Sequence, residues 1–102
     1  TQDAYSPATI AALENYGFSK EGEALYWIQG GRIDIGGELP FNVNGSQLAE
    51  SYMVGWQNTC DAVRQLRNEA QERRRQIPNA EVIQCTYTGG LREHAGSLIL
   101  RR

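Results

Sequence analysis

Histidine is nearly missing from this chain of 102 residues, which holds one, His94, beside two cysteines, Cys60 and Cys85. The cysteines lie far apart and make no metal-ligand spacing, so no zinc site and no metal is assigned. No run of about 18 apolar residues occurs and no signal-like apolar segment opens the chain, which excludes a membrane-spanning helix. Charge of one sign is lacking as well: the formal net charge is -2, so there is no general electrostatic case for nucleic acid or anionic lipid. The cytoplasm is the default location. What is there is 40% hydrophobic and 22% charged, an ordinary globular composition with no repeat or low-complexity segment. The length suits one domain, residues 1–102, or part of one, burying roughly 65% of its unfolded surface. The chain opens on threonine and runs directly into a helix-start signal, as an excised or processed piece would.

Nine of the ten basic residues are arginine, and Arg73-Arg74-Arg75 form the only basic run. It reads either as a solvated helix end, with cations near the C-terminus, or as a patch for CoA phosphates or an acidic partner.

Ser6-Pro7 reads as a helix opening, serine capping and proline in first place. Ile10, Leu13 and Tyr16 share a face, and Gly17 supplies a left-handed end. A second helix is expected over 19–29, capped by Ser19, with Leu25 and Ile28 inward and Gly30-Gly31 ending it. Ile33-Asp34-Ile35 is expected to be extended and Phe41 to Val43 a short buried strand, with Leu39 held extended by Pro40. A long helix should start at Ser46 or Ser51 and end near Arg74. Its inward stripe is Met53, Trp56, Cys60, Val63 and Leu66, with Gly55 allowing close packing at a cost of about 1 kcal/mol relative to alanine. Residues 81–87 and 98–100 read as strands joined by a loop of hairpin length, buried on both faces. The class is α/β: a mixed sheet with helices packed on it, thin enough that a partner segment or subunit should cover what stays exposed.

The stretch from Phe41 to Trp56 is the most informative. An apolar lead-in, Asn44-Gly45 and a helical pattern set strand, tight turn and helix start side by side. Backbone N–H groups there can face an anion or a developing oxyanion. Asn42 and Asn44 are turn formers that can also donate to a substrate or bound water.

The same stretch resembles the thiolase motif Asn-x-x-Gly-Gly-x-x-x-x-Gly-His-Pro, with Tyr52 where the histidine stands. Gly36-Gly37-Glu38-Leu39-Pro40-Phe41-Asn42-Val43-Asn44-Gly45 is similar to Gly-Gly-x-x-Pro-x-Asn-x-x-Gly. Gln2-Asp3-Ala4-Tyr5-Ser6 resembles the (His/Asn/Tyr)-Asp-(Cys/Ala)-Phe-(Ser/Thr) motif of the sterol-carrier and lipid-transfer branch, with glutamine in first place. Tyr16-Gly17-Phe18 followed by Glu21-Gly22-Glu23 is similar to that branch's Leu-Gly-Phe/Leu-x-x-x-Gly-Glu helix. Tyr87-Thr88-Gly89-Gly90 sits where thiolases carry Cys-x-Gly-Gly. The resemblance covers nearly the whole chain, in order, and implies the C-terminal part of a thiolase-like domain whose first strand is missing.

It also implies roles. Thiolases activate a nucleophilic cysteine with the histidine at the place of Tyr52 and use a cysteine at the place of Tyr87 as acid/base. Cys85 stands two residues away on the same strand face, and the nucleophile lies in an N-terminal half absent here. Thiolysis by this chain alone is thus excluded. The two tyrosines resemble those of thiolase-like aldolases, which cut a β-hydroxyacyl-CoA by retro-aldol chemistry in sterol side-chain breakdown. That reaction needs a base on the β-hydroxyl and donors for the thioester enolate. A phenol of reference pKa about 10 costs roughly 4 kcal/mol to ionise at neutral pH, while a helix start returns about 0.3–1 kcal/mol. Tyr52 is therefore expected to donate or relay a proton. By the same resemblance, Gln2 positions a catalytic water, Gly45 belongs to the substrate-binding turn, and Gly89 and Gly90 let backbone approach the acyl thioester. His94 reads as an exposed loop residue. The expected substrate is a coenzyme A thioester, with no cofactor. Expected partners are the N-terminal thiolase half, a second copy in a homodimer, and a small OB-fold acyl-CoA-binding subunit. The alternative is a lipid or acyl-CoA carrier, or a scaffold subunit, that kept the fold and lost the chemistry.

Overall fold

A computed structural model describes residues 1–3, 5–71, 74–89 and 94–102. In chain order the elements are α1 (Ser6–Asn15), α2 (Ala24–Trp27), α3 (Ser46–Ala49), α4 (Trp56–Leu66), β1 (Val82–Gly89) and β2 (His94–Arg101). The α/β class stands, with helices beside a sheet of two antiparallel strands among the described residues. Cys85 lies opposite Leu98 and Tyr87 opposite Gly96. None of the described helices is long and apolar enough to cross a membrane.

The α1 helix starts one residue earlier than serine capping requires. Tyr5 is its cap, and the Tyr5 carbonyl accepts from Ala8 and Thr9 N–H at 3.0 and 3.3 Å. Gly17 closes it as expected, with Phe18 N–H reaching back to the Leu13 carbonyl at 2.8 Å. The second helix is only one turn long, so Leu25 is 61% exposed and Ala24 takes the buried place instead. Ala24 N–H donates to Glu14 Oε1 at 3.1 Å, which ties α2 back to α1.

Neither early extended piece forms a strand. Asp34 N–H turns back to the Gly31 carbonyl and Gly37 N–H to that of Asp34, which folds residues 31–37 into successive turns. Asn42 adopts φ +48° and breaks the run from Phe41 to Val43.

The single long helix is also divided. Residues 50–55 separate α3 from α4, with Val54 at φ +49° and Gly55 at φ +91°, and Asn68 at φ +63° follows the end of α4 at Leu66. The inward stripe is overturned with it. Trp56 is 65% exposed, Met53 and Cys60 are exposed, and only Leu66 of the five is buried. The buried side of α4 is instead Gln57, Asn58, Asp61, Ala62, Gln65 and Leu66. These residues face β1 and the polar loops, so tertiary contacts, not hydropathy, chose the face. β2 is exposed from Ala95 to Ile99 rather than buried on both faces.

Candidate active site

β1 organises the neighbourhood. Side chains alternate across a strand, so Cys85 and Tyr87 share one face, and that face meets the first turn of α4. Cys85 Sγ points to the Asn58 carbonyl at 3.8 Å, and the Tyr87 hydroxyl is hydrogen-bonded to Thr59 Oγ1. The Tyr87 ring lies against Gly55: a Cβ built there would stand 2.5 Å from ring carbon Cδ1 and 2.6 Å from Cε1. The chain's first residues run beside β1, with Gln2 N–H donating to the Thr86 carbonyl at 3.0 Å.

Asn58 is the hub of the buried polar cluster. Its Oδ1 accepts from Asn44 Nδ2 and Ser46 Oγ, each at 3.1 Å, and its Nδ2 donates to the Thr1 carbonyl at 2.8 Å. Asn44 Oδ1 in turn accepts from Ser46 N–H at 3.0 Å. Asn42 Oδ1 accepts from the Thr1 nitrogen at 2.6 Å. Gly45, at φ +78°, precedes α3, and a side chain there would collide with the Ala49 methyl. Asp3 closes the group by accepting from Gln47 N–H at 2.9 Å. Burial works against ionised Asp3, but donors from Gln47 and Ser46 outweigh it and hold its carboxyl below the usual range.

The structure thus brings Gln2, Asn42, Asn44, Gly45 and Tyr87 together around the start of α4. Tyr52 rides the adjoining loop, 77% exposed, three residues before the glycine that touches Tyr87. Gly89 ends β1 opposite His94, and Gly90 lies outside the described residues, as do Ala4 and Arg73. Burial pushes both the Tyr87 phenol and the Cys85 thiol up, so both are neutral near pH 7. Cys85 is then no ready thiolate, and the Tyr87 phenol keeps its proton. Among the described residues, no group of three or more His, Cys, Asp or Glu could hold a metal.

A cleft of about 570 Å³ opens between β1, α4 and the loop of residues 36–44. Asn42, Asn44 and Cys85 line it, whereas Gln2, Gly45, Tyr52 and Tyr87 do not. Asn58, Thr59 and Asp61 were missed as site residues by sequence reading. The signal for Asn58 and Asp61 was a second stripe at helical spacing, Gln57, Asn58, Asp61 and Gln65, masked by the apolar one beside it, and Thr59 lies outside both stripes.

The family model for the thiolase C-terminal domain-like family matches residues 1–102, the full length of the chain. The chain belongs to that family. Its thiolase-like sequence is 38% identical over 98 residues to the 17-hydroxy-3-oxo-4-pregnene-20-carboxyl-CoA lyase of Mycobacterium tuberculosis, covering 96% of this chain and 24% of that protein. It is 36% identical over 84 residues to the steroid side-chain-cleaving aldolase of Thermomonospora curvata, covering 82% of this chain and 22% of that protein. The thiolase-like chain thus spans about a quarter of the length of these curated relatives.

Proposed function

We propose that this chain is the C-terminal part of a thiolase-like lyase that splits a β-hydroxyacyl-CoA of sterol or lipid origin by a retro-aldol reaction. One observation carries the reading. A neutral Tyr87 phenol, held by Thr59, stands where the resemblance puts a thiolase acid/base, on the glycine that ends the Tyr52 loop. Both relatives are named for lyase or aldolase chemistry.

In the proposed reaction a base takes the β-hydroxyl proton, the Cα–Cβ bond breaks and the β-carbon becomes a carbonyl. The bonding electrons pass into the thioester enolate, which takes a proton at Cα to leave a shorter acyl-CoA. A covalent nucleophile is not required, so the tyrosines suit the chemistry. Tyr52 donates or relays the proton, Tyr87 donates to the enolate side, and Gln2 holds a water. Asn42, Asn44, Gly45, Gly89 and Gly90 are the proposed contacts to the thioester. The N-terminal half, in the same polypeptide or another, completes the site, and the two together are the assembled enzyme. A homodimer, the OB-fold acyl-CoA-binding subunit and a cytoplasmic location belong to this proposal.

A second reading, an acyl-CoA carrier without turnover, is favoured by the absence of both tyrosines from the cleft lining. Product analysis separates them: the assembled enzyme should release acyl-CoA and a carbonyl product, whereas a carrier should bind and release its ligand unchanged. Tyr52→Phe in the assembled enzyme should lower kcat by about 10²–10⁴-fold, the range for general acid–base groups. Unchanged turnover would remove Tyr52 from the chemistry.

A further inference from the structure

Arg75 of the basic run is turned inward, not out to solvent. Its Nη1 lies 3.2 Å from Asp61 Oδ1 on α4 and 3.4 Å from Glu50 Oε1 at the end of α3, with all three side chains largely shielded from water. For Arg75 this corrects both readings of that run, since neither a solvated helix end nor an open phosphate patch uses a buried guanidinium, while Arg74 is exposed.

The backbone around Arg75 is anchored independently. Gln65 Nε2 donates to the Arg75 carbonyl and Ile77 N–H donates to Gln65 Oε1, both at 2.8 Å. Gln76 Nε2 donates to the Gln65 carbonyl at 3.0 Å, while its Oε1 accepts from Ala70 N–H at 3.0 Å. Gln65 and Asp61 both belong to α4. The guanidinium is therefore a fixed point on α4, and Glu50 is what it reaches across to hold. Glu50 begins residues 50–55, the loop that carries Tyr52 and ends where Gly55 meets Tyr87. The loop is pinned at one end by packing and at the other by charge.

We propose that Arg75 is a positioning residue which, through Glu50, sets where the Tyr52 phenol stands relative to Tyr87. The inference rests on the reading of Tyr52 given above. A charged tether suits a short exposed loop, because the loop buries too little apolar surface to hold itself. Shielding makes the tether stronger than an open surface pair.

Hydrogen exchange over residues 50–55 of the assembled enzyme reads the position of the loop without its chemistry. Glu50→Gln is expected to speed that exchange about tenfold while β1 keeps its protection. Glu50→Asp and Arg75→Lys, which keep charge at altered reach, should restore part of it. With a β-hydroxyacyl-CoA, Glu50→Gln should lower kcat about tenfold and leave KM within about twofold, the pattern of a misplaced reacting group. Unchanged exchange over the loop overturns the proposal, and so does a loosening that spreads equally to β1. If Glu50→Gln does not fold, Glu50→Asp carries the same measurement with a smaller expected rise. Faster loop exchange together with full turnover by Tyr52→Phe would leave the tether standing and overturn only the catalytic reading of Tyr52.

Discussion

Gly55 shows how one residue joins fold to chemistry. It lies at φ +91°, which a side chain rarely tolerates, and its bare Cα is where the Tyr87 ring passes. Gly55→Ala is expected to lose about 1–3 kcal/mol to backbone strain and a similar amount, about 1–3 kcal/mol, to overpacking against the ring. In a Tyr87→Ala background the second loss should vanish, and urea denaturation of the double-mutant cycle measures the difference. Equal costs in both backgrounds would mean that the ring and the glycine are not coupled. The neutral Tyr87 phenol belongs to the same picture: burial raises it, Thr59 restrains the rise, and the group stays protonated through the physiological range.

The α4 helix is the element that assembles the site, and it does so with polar residues. Asp61, on its buried side, has its carboxyl raised above the ordinary 3.8 because burial outweighs the Arg75 guanidinium, with the Gln65 hydrogen bond and Arg64 also favouring ionisation and Glu50 opposing it. The sign follows from proton binding. Between pH 3.8 and the higher native value, folded Asp61 keeps a proton that the unfolded chain has released, so its contribution to stability falls as pH rises through that window. Asp61→Asn should remove this dependence, so its unfolding free energy should gain on the wild type from about pH 4 towards neutrality. Denaturation at stepped pH checks this, and parallel curves for the two proteins would contradict it. The loop before α4 and the segment after it are tied to the helix through Arg75, Asn58 and Gln65, so the element works as a spine for both tyrosines.

At the scale of the whole molecule, the apolar side chains of α3, of the loop before α4 and of the first residue of α4 face outward. Leu48 is 87% exposed, and Met53, Val54 and Trp56 are exposed beside it. Large apolar side chains left exposed over residues 48–56 suit an interaction face, which fits the proposed docking of the N-terminal thiolase half. In a Trp27→Phe background, Trp56 emission of the isolated chain should be strongly quenched by acrylamide. Quenching should fall several-fold once the N-terminal half is supplied, as burial of the indole requires. The same quenching constant in both states would place the partner elsewhere.

The sequence alone determined what local chemistry controls: the family, the left-handed end at Gly17, the two strands near the C-terminus, and the turn of Asn42, Asn44 and Gly45. It also placed Tyr52 and Tyr87 in one motif order. It could not say which side of α4 is buried, because Met53, Trp56, Cys60 and Val63 satisfy helical periodicity as well as Gln57, Asn58, Asp61 and Gln65 do. Periodicity identifies a face and not its direction; what packs against the face decides that, and here β1 lies against it while Thr1, Asn44 and Ser46 supply hydrogen-bond partners for the Asn58 amide and Arg75 and Ile77 for that of Gln65. The break at residues 50–55 was hidden for a related reason. Capping serines and a glycine permit a helix to stop there, but the close approach of the Tyr87 ring, from 32 residues later in the chain, makes Gly55 the place where α4 begins.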